Sequence, residues 1–89
     1  MKIEIEKSIH KAEYEKKGIR NWPVWEKEVS TFSWYYESSE IFYVIEGKAR
    51  IKTIYEEVLI EKGDLVICPA GLRSTWIIEE KFKKNYNFL

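Results

Sequence analysis

EIFYVIEG at residues 40–47 and GDLVICPAG at residues 63–71 decide the fold. In the first, Ile41 to Ile45 is a near-continuous apolar run that reads as a buried strand, closed by Glu46-Gly47. In the second, Glu61-Lys62-Gly63-Asp64 reads as a turn, Leu65 to Cys68 as a strand, and Pro69-Ala70-Gly71 as another turn. Working outward, Phe32, Trp34 and Tyr36 share one face at period two, and Glu37-Ser38-Ser39 turns the chain. Between the two stretches, Arg50 to Ile54 is strand-like, and Tyr55-Glu56-Glu57 turns into Val58-Leu59-Ile60. Downstream, Ser74 to Ile78 forms another strand, and Phe82, Tyr86 and Phe88 belong to a last one. Upstream, Lys2 to Lys7 alternates as a short strand, with Ile3 and Ile5 on one side. Ser8 to Lys17 permits a helical turn or two ended by Gly18, and Trp22, preceding Pro23, is extended. Short strands separated by turn signals about ten residues apart predict an all-β sandwich or small barrel.

The composition agrees. The chain has 89 residues, enough for one domain and one modest core. Hydrophobic residues make up 45%, which excludes a disordered chain. Aromatics make up 16%, so much of the core must be aromatic. No apolar run approaches the ~18–20 residues of a membrane-spanning helix, and the N-terminus shows no apolar leader. Fifteen Lys and Arg balance fifteen Asp and Glu, which argues against a duplex-binding surface. Cys68 is the sole cysteine, so no intrachain disulfide forms, and a cytoplasmic location is expected. Abundant Glu and Lys with no Gln resembles the composition of heat-loving organisms.

Two stretches resemble the paired motifs of the cupin superfamily. Glu40, six residues and then Gly47 match the second half of the first motif (about 34–47). Gly63, five residues and then Pro69-Ala70-Gly71 match the second motif (about 63–78). The order W-P-x-W-E, F-x-W-x-Y, E-x-F-Y-V-I-E-G, K-G-D-L-V and P-A-G-L-R-x-x-W resembles the branch that includes ureidoglycine aminohydrolase and the ethanolamine-utilisation cupin. Within it, the likeness is to small stand-alone members from thermophilic bacteria. The resemblance implies an antiparallel jelly-roll barrel of about six to eight strands with a pocket at one mouth. The alternation of Lys2 to Lys7 and the spacing from Ser8 to Lys17 put a short N-terminal strand and helical turn ahead of that barrel.

The resemblance further implies where a metal would sit, and this sequence departs there. The positions aligned with the metal ligands hold Trp34, Tyr36, Glu40 and Ser74, and only Glu40 is retained. Ile78 stands where the motif ends in Asn, and the single histidine, His10, lies outside both motifs. One carboxylate is not a metal cage, so no tightly bound metal is expected. Period two instead turns Trp34, Tyr36, Glu40 and Phe42 inward, with Ser74, Trp76 and Ile78 opposite. The result is an aromatic box with one carboxylate and one hydroxyl. Its rings offer flat walls, and Glu40 could receive an ammonium or amide N–H.

Each candidate carries a plainer alternative. Glu40 is either a site carboxylate, open to acid–base work, or a structural group bonded to Tyr36 or Arg73. Trp34, Tyr36 and Trp76 either line a pocket or fill the barrel, and filling is the commoner state of small barrels. Ser74 lacks a His-Asp pair to activate it and reads as a packing residue. Arg73 is either an anion fork at the mouth or a surface ion-pair partner. Cys68 reads as a buried, inert thiol. Trp22 and Trp25 cap one end of the barrel or anchor an interface.

The leading expectation is a cupin domain that binds a small organic ligand through Trp34, Tyr36, Glu40, Phe42, Arg73, Ser74 and Trp76. A hydrolase or isomerase using Glu40, with a weakly held divalent metal, is one alternative. A structural or interaction module with a filled barrel is another. An open strand edge carrying Ile3 and Ile5 invites a homodimer. A single-strand nucleic-acid platform would need a basic groove that the matched charges do not supply.

Overall fold

The computed structural model describes residues 1–89 as seven strands and one short helix. The order is β1 (Glu4–Glu6), α1 (Lys11–Lys16), a 3-10 turn (Ile19–Asn21), β2 (Val24–Lys27), β3 (Ser30–Tyr35), β4 (Glu40–Lys52), β5 (Glu57–Glu61), β6 (Leu65–Cys68) and β7 (Arg73–Phe88). All pairings are antiparallel. The strand at Leu65–Cys68 and the turns around it lie where the sequence puts them. So do the helix, Gly18 in the left-handed region behind it, and extended Trp22.

Two expectations are corrected. The run from Ile41 does not close at Gly47, and the last two segments are not separate strands. Instead β4 and β7 are long strands that run beside each other for most of their length. The first half of β4 pairs with β6 and its second half with β5. The first half of β7 pairs with β3 and its second half with β2. The long strands thus pass from one layer of the barrel to the other, and β1, β6 and β2 complete one layer while β5 and β3 complete the other.

The bend between layers is an irregular stretch of register between Val44 and Ala49. It also switches the inward parity of β4: Phe42 and Val44 face the core before it, Ala49 and Ile51 after it. A one-residue irregularity has this effect because side chains alternate with period two. Gly47 sits in the bend at φ 97°, where a Cβ would lie 2.2 Å from the Lys81 carbonyl oxygen. Only glycine lets the two backbones approach so closely.

The principal core lies between the layers and joins Phe42, Val44, Ile51, Trp76, Ile78 and Phe82 with their neighbours. Each such side chain contributes roughly 1.5–3 kcal/mol by leaving water. Trp76 is the hub, 5.3 Å from the Phe82 ring, 5.6 Å from Phe42 and stacked on Phe32 at 6.0 Å. A second cluster of Ile19, Ile41 and Leu65 seats the helix and 3-10 turn on the outer side of β4 and β6. Buried Asp64 ties the N-terminal segment down: its carboxylate accepts hydrogen bonds from the backbone N–H groups of Ser8 and Glu61 and from Lys7 Nζ at 2.6 Å. No helix is long and apolar enough to cross a membrane.

Candidate functional site

Trp76, Phe42 and Phe82 fill the middle of the barrel, but the end bounded by β2, β3 and the start of β4 stays open. A cavity of about 600 Å³ lies there. The barrel is therefore filled at one level and hollow at the next, and Trp76 stands at the boundary between them.

Four of the seven expected ligand-binding residues line this cavity: Trp34, Tyr36, Glu40 and Trp76. Phe42 is fully buried beneath it. Arg73 and Ser74 depart from the expected site: they line a second, shallower hollow with Lys52 and Thr75. Ser74 Oγ donates to the Trp34 carbonyl oxygen at 2.8 Å, which ties β7 to β3 and occupies the hydroxyl proton. Arg73 is exposed and lies over the Tyr35 ring at 5.0 Å rather than in an ion pair.

Glu40 has a partner that the sequence reading missed. It bonds neither Tyr36 nor Arg73; its Oε2 accepts a hydrogen bond from Lys84 Nζ at 2.6 Å, with both side chains over nine-tenths buried. Lys84 lies inward on β7 because the alternation through Trp76, Ile78 and Phe82 continues to it. Three rings surround its ammonium: Phe42 at 4.1 Å, Trp25 at 5.0 Å and Trp76 at 5.0 Å. Each such contact is worth about 0.5–2 kcal/mol. Burial pushes the Lys84 amine below the usual lysine range, and the Glu40 carboxylate opposes that shift without cancelling it. In the sequence Lys84 lies in the polar stretch Lys-Lys-Asn-Tyr-Asn of the last strand, whose composition hides an inward position. The period-two count from Trp76 was the signal that could have found it.

The remaining polar atoms at the site are satisfied. Trp76 Nε1 donates to the Tyr36 hydroxyl at 3.1 Å. Burial, reinforced by nearby Cys68, pushes the Tyr36 phenol far above its ordinary range, so it stays protonated. Trp25, expected to cap one end of the barrel, packs on Phe32, Trp76 and Phe82 and forms part of the cavity wall.

The cupin likeness makes a metal the cofactor to consider, and the residues do not fit one. No three His, Cys, Asp or Glu side chains converge anywhere in the chain. At the positions aligned with metal ligands, Trp34 offers no donor atom, Ser74 spends its proton on the backbone, and Tyr36 is held as a neutral phenol. Glu40 already faces a cation, the Lys84 ammonium.

Comparison with known proteins sets the site in a family. A model of the EutQ-like cupin domain matches residues 14–86. A crystal structure of a DUF861-family protein from Thermotoga maritima is 40% identical, with TM-score 0.94, over 99% of this chain and 100% of that one. The EutQ protein of Clostridium difficile is 26% identical over 73% of this chain, with TM-score 0.68. An ethanolamine utilization protein Q from Salmonella typhimurium is 20% identical over 73% of this chain, with TM-score 0.67. This chain spans 52% and 53% of the length of those two EutQ chains. No functionally curated protein matches.

Proposed function

We propose a function from the premise that the chain belongs to the EutQ-like cupin domain family: it binds a small organic molecule at the barrel mouth. The ligand's flat apolar part lies against Trp25, Phe32 and Trp34, and an acceptor oxygen meets Lys84. The observation that carries this reading is the open cavity of about 600 Å³ with the Lys84–Glu40 pair in its wall. That volume falls in the range of small-molecule sites, and an aromatic wall with a few convergent polar groups is their usual chemistry.

The pair itself supports the reading. A buried carboxylate and ammonium add little to stability over apolar side chains of the same size. Phe42 and Trp76 show that this barrel tolerates large apolar groups at that depth. The charges have a use if a ligand meets them.

The pair also sets the ligand's polarity. A cationic head is disfavoured, because Lys84 already occupies both the Glu40 carboxylate and the Trp76 face. A carbonyl or carboxylate oxygen suits the ammonium instead. Calorimetric titration with benzoate, benzaldehyde and benzylamine tests this. Benzoate and benzaldehyde bind at about millimolar Kd or tighter, a strength reasonable for ligands of so few atoms. Benzylamine does not bind, and Lys84→Met loses benzoate. Preferential binding of benzylamine, or no binding by any of the three, would contradict the reading.

A further inference from the structure

We propose that Lys84 is a covalent carbonyl-binding residue: its amine forms an imine with an aldehyde or ketone held in the mouth cavity, and Glu40 carries the protons. The proposal rests on the binding reading above and names the class of molecule that site takes. The geometry supports it in three ways. Lys84 is one of the residues that line the cavity. Its ammonium has one hydrogen-bond acceptor, Glu40 Oε2 at 2.6 Å, and its other neighbours are ring faces. An ammonium so sparsely solvated gives up a proton more readily than one in water, and the Lys84 amine does lie below its ordinary range. The group placed to take that proton is the one already bonded to it.

The step balances without an outside reagent. Glu40 removes a proton from the ammonium, and the free amine adds to the carbonyl carbon. A C–N bond forms, the carbonyl π bond breaks, and the oxygen takes a proton from the attacking nitrogen to become a hydroxyl. That hydroxyl, protonated from Glu40, leaves as water. Ammonium and carbonyl have become a protonated imine and one water. The flat iminium carbon then lies among Trp25, Phe42 and Trp76, the rings that already hold a cation at that place.

Reductive trapping on the intact protein tests the proposal. The wild type is incubated with benzaldehyde near neutral pH, treated with borohydride, digested and mapped by mass spectrometry. The chain has eleven other lysines as internal standards. The expected result is at least about tenfold more benzyl label on Lys84 than on the average exposed lysine, since Lys84 is the one lysine in the cavity wall and a held aldehyde meets it at a raised effective concentration. Lys84→Arg keeps a cation for Glu40 but cannot form an imine, so it loses this label. Label spread over the exposed lysines with none concentrated on Lys84 would overturn the proposal. If benzoate or benzaldehyde then still binds calorimetrically, the binding reading survives without the imine; if none of the three ligands binds, both fail. The wild-type map decides even if the variant is unstable.

Discussion

Cys68 and Tyr36 meet in a part of the core that excludes water, and both are acids. Burial raises the Cys68 thiol from 9.0 to about 11, and it raises the Tyr36 phenol well above its own ordinary range. An acid whose folded pKa is raised keeps its proton in the native state while the unfolded chain has lost it. The unfolded state then binds fewer protons, so stability falls as pH rises through that window. Lys84 works in the opposite sense: its lowered pKa means the unfolded chain binds more protons just below pH 10.5, so stability rises with pH there. Cys68→Ala isolates the thiol. Between about pH 9 and 11, wild type should lose up to about 1.4 kcal/mol more per pH unit than the variant, as urea titrations at several pH values would reveal. Parallel pH profiles would place a titrating thiol outside the buried core. The site was legible at this scale wherever burial and chemistry agreed in one residue type. Tyr36 and Trp76 carry both signals, Glu40 was marked by the motif alone, and Trp34 lines the cavity while half exposed. Lys84 carries the chemistry but sits among charged neighbours, so local composition pointed to solvent while strand alternation pointed inward.

The bend that joins β4 to β7 is the element on which the mouth depends. It takes both strands from one layer to the other, and it reverses the inward parity of β4. A methyl at Gly47 would meet the Lys81 carbonyl oxygen at 2.2 Å and Phe82 Cα at 2.8 Å, both backbone atoms that cannot step aside. Gly18 also has positive φ, but a methyl there meets nothing within 4 Å. Gly18→Ala should therefore cost about 1–2 kcal/mol, the left-handed penalty alone, and Gly47→Ala several kcal/mol more. Thermal unfolding of the two variants side by side checks this, and equal losses would contradict the close approach. The same bend explains what the sequence concealed. Glu79-Glu80-Lys81 are three successive charges that interrupt the apolar alternation between Ile78 and Phe82, and all three are exposed. In fact the strand continues through them where β7 passes the outside of the bend. Glu46-Gly47 likewise breaks the apolar run with a charge and a glycine, although the strand continues through them. β2 escaped notice because, of its four residues, only Trp25 turns inward.

At the scale of the whole molecule, an 89-residue chain cannot both fill and hollow a large barrel. It divides the work along the axis. Trp76, Phe42 and Phe82 close the middle, the Asp64 hydrogen bonds fasten the N-terminal segment, and the end walled by β2 and β3 keeps its cavity. The fold class was legible because strand length, turn spacing and paired motifs all pointed the same way. The internal ion pair was not, because it joins residues 44 positions apart in sequence, and only the long β4–β7 pairing brings them together. Ligand binding at the mouth is the claim on which the functional account stands. Its most direct test is a titration of isotope-labelled protein with benzoate, followed residue by residue by NMR. The account predicts that the largest shifts fall on the Trp25 and Trp76 indoles, the β3 amides from Phe32 to Tyr35 with Tyr36 just beyond, and Lys84. Shifts centred on Lys52, Arg73 and Thr75, or spread thinly over the surface, would place the site elsewhere and contradict it.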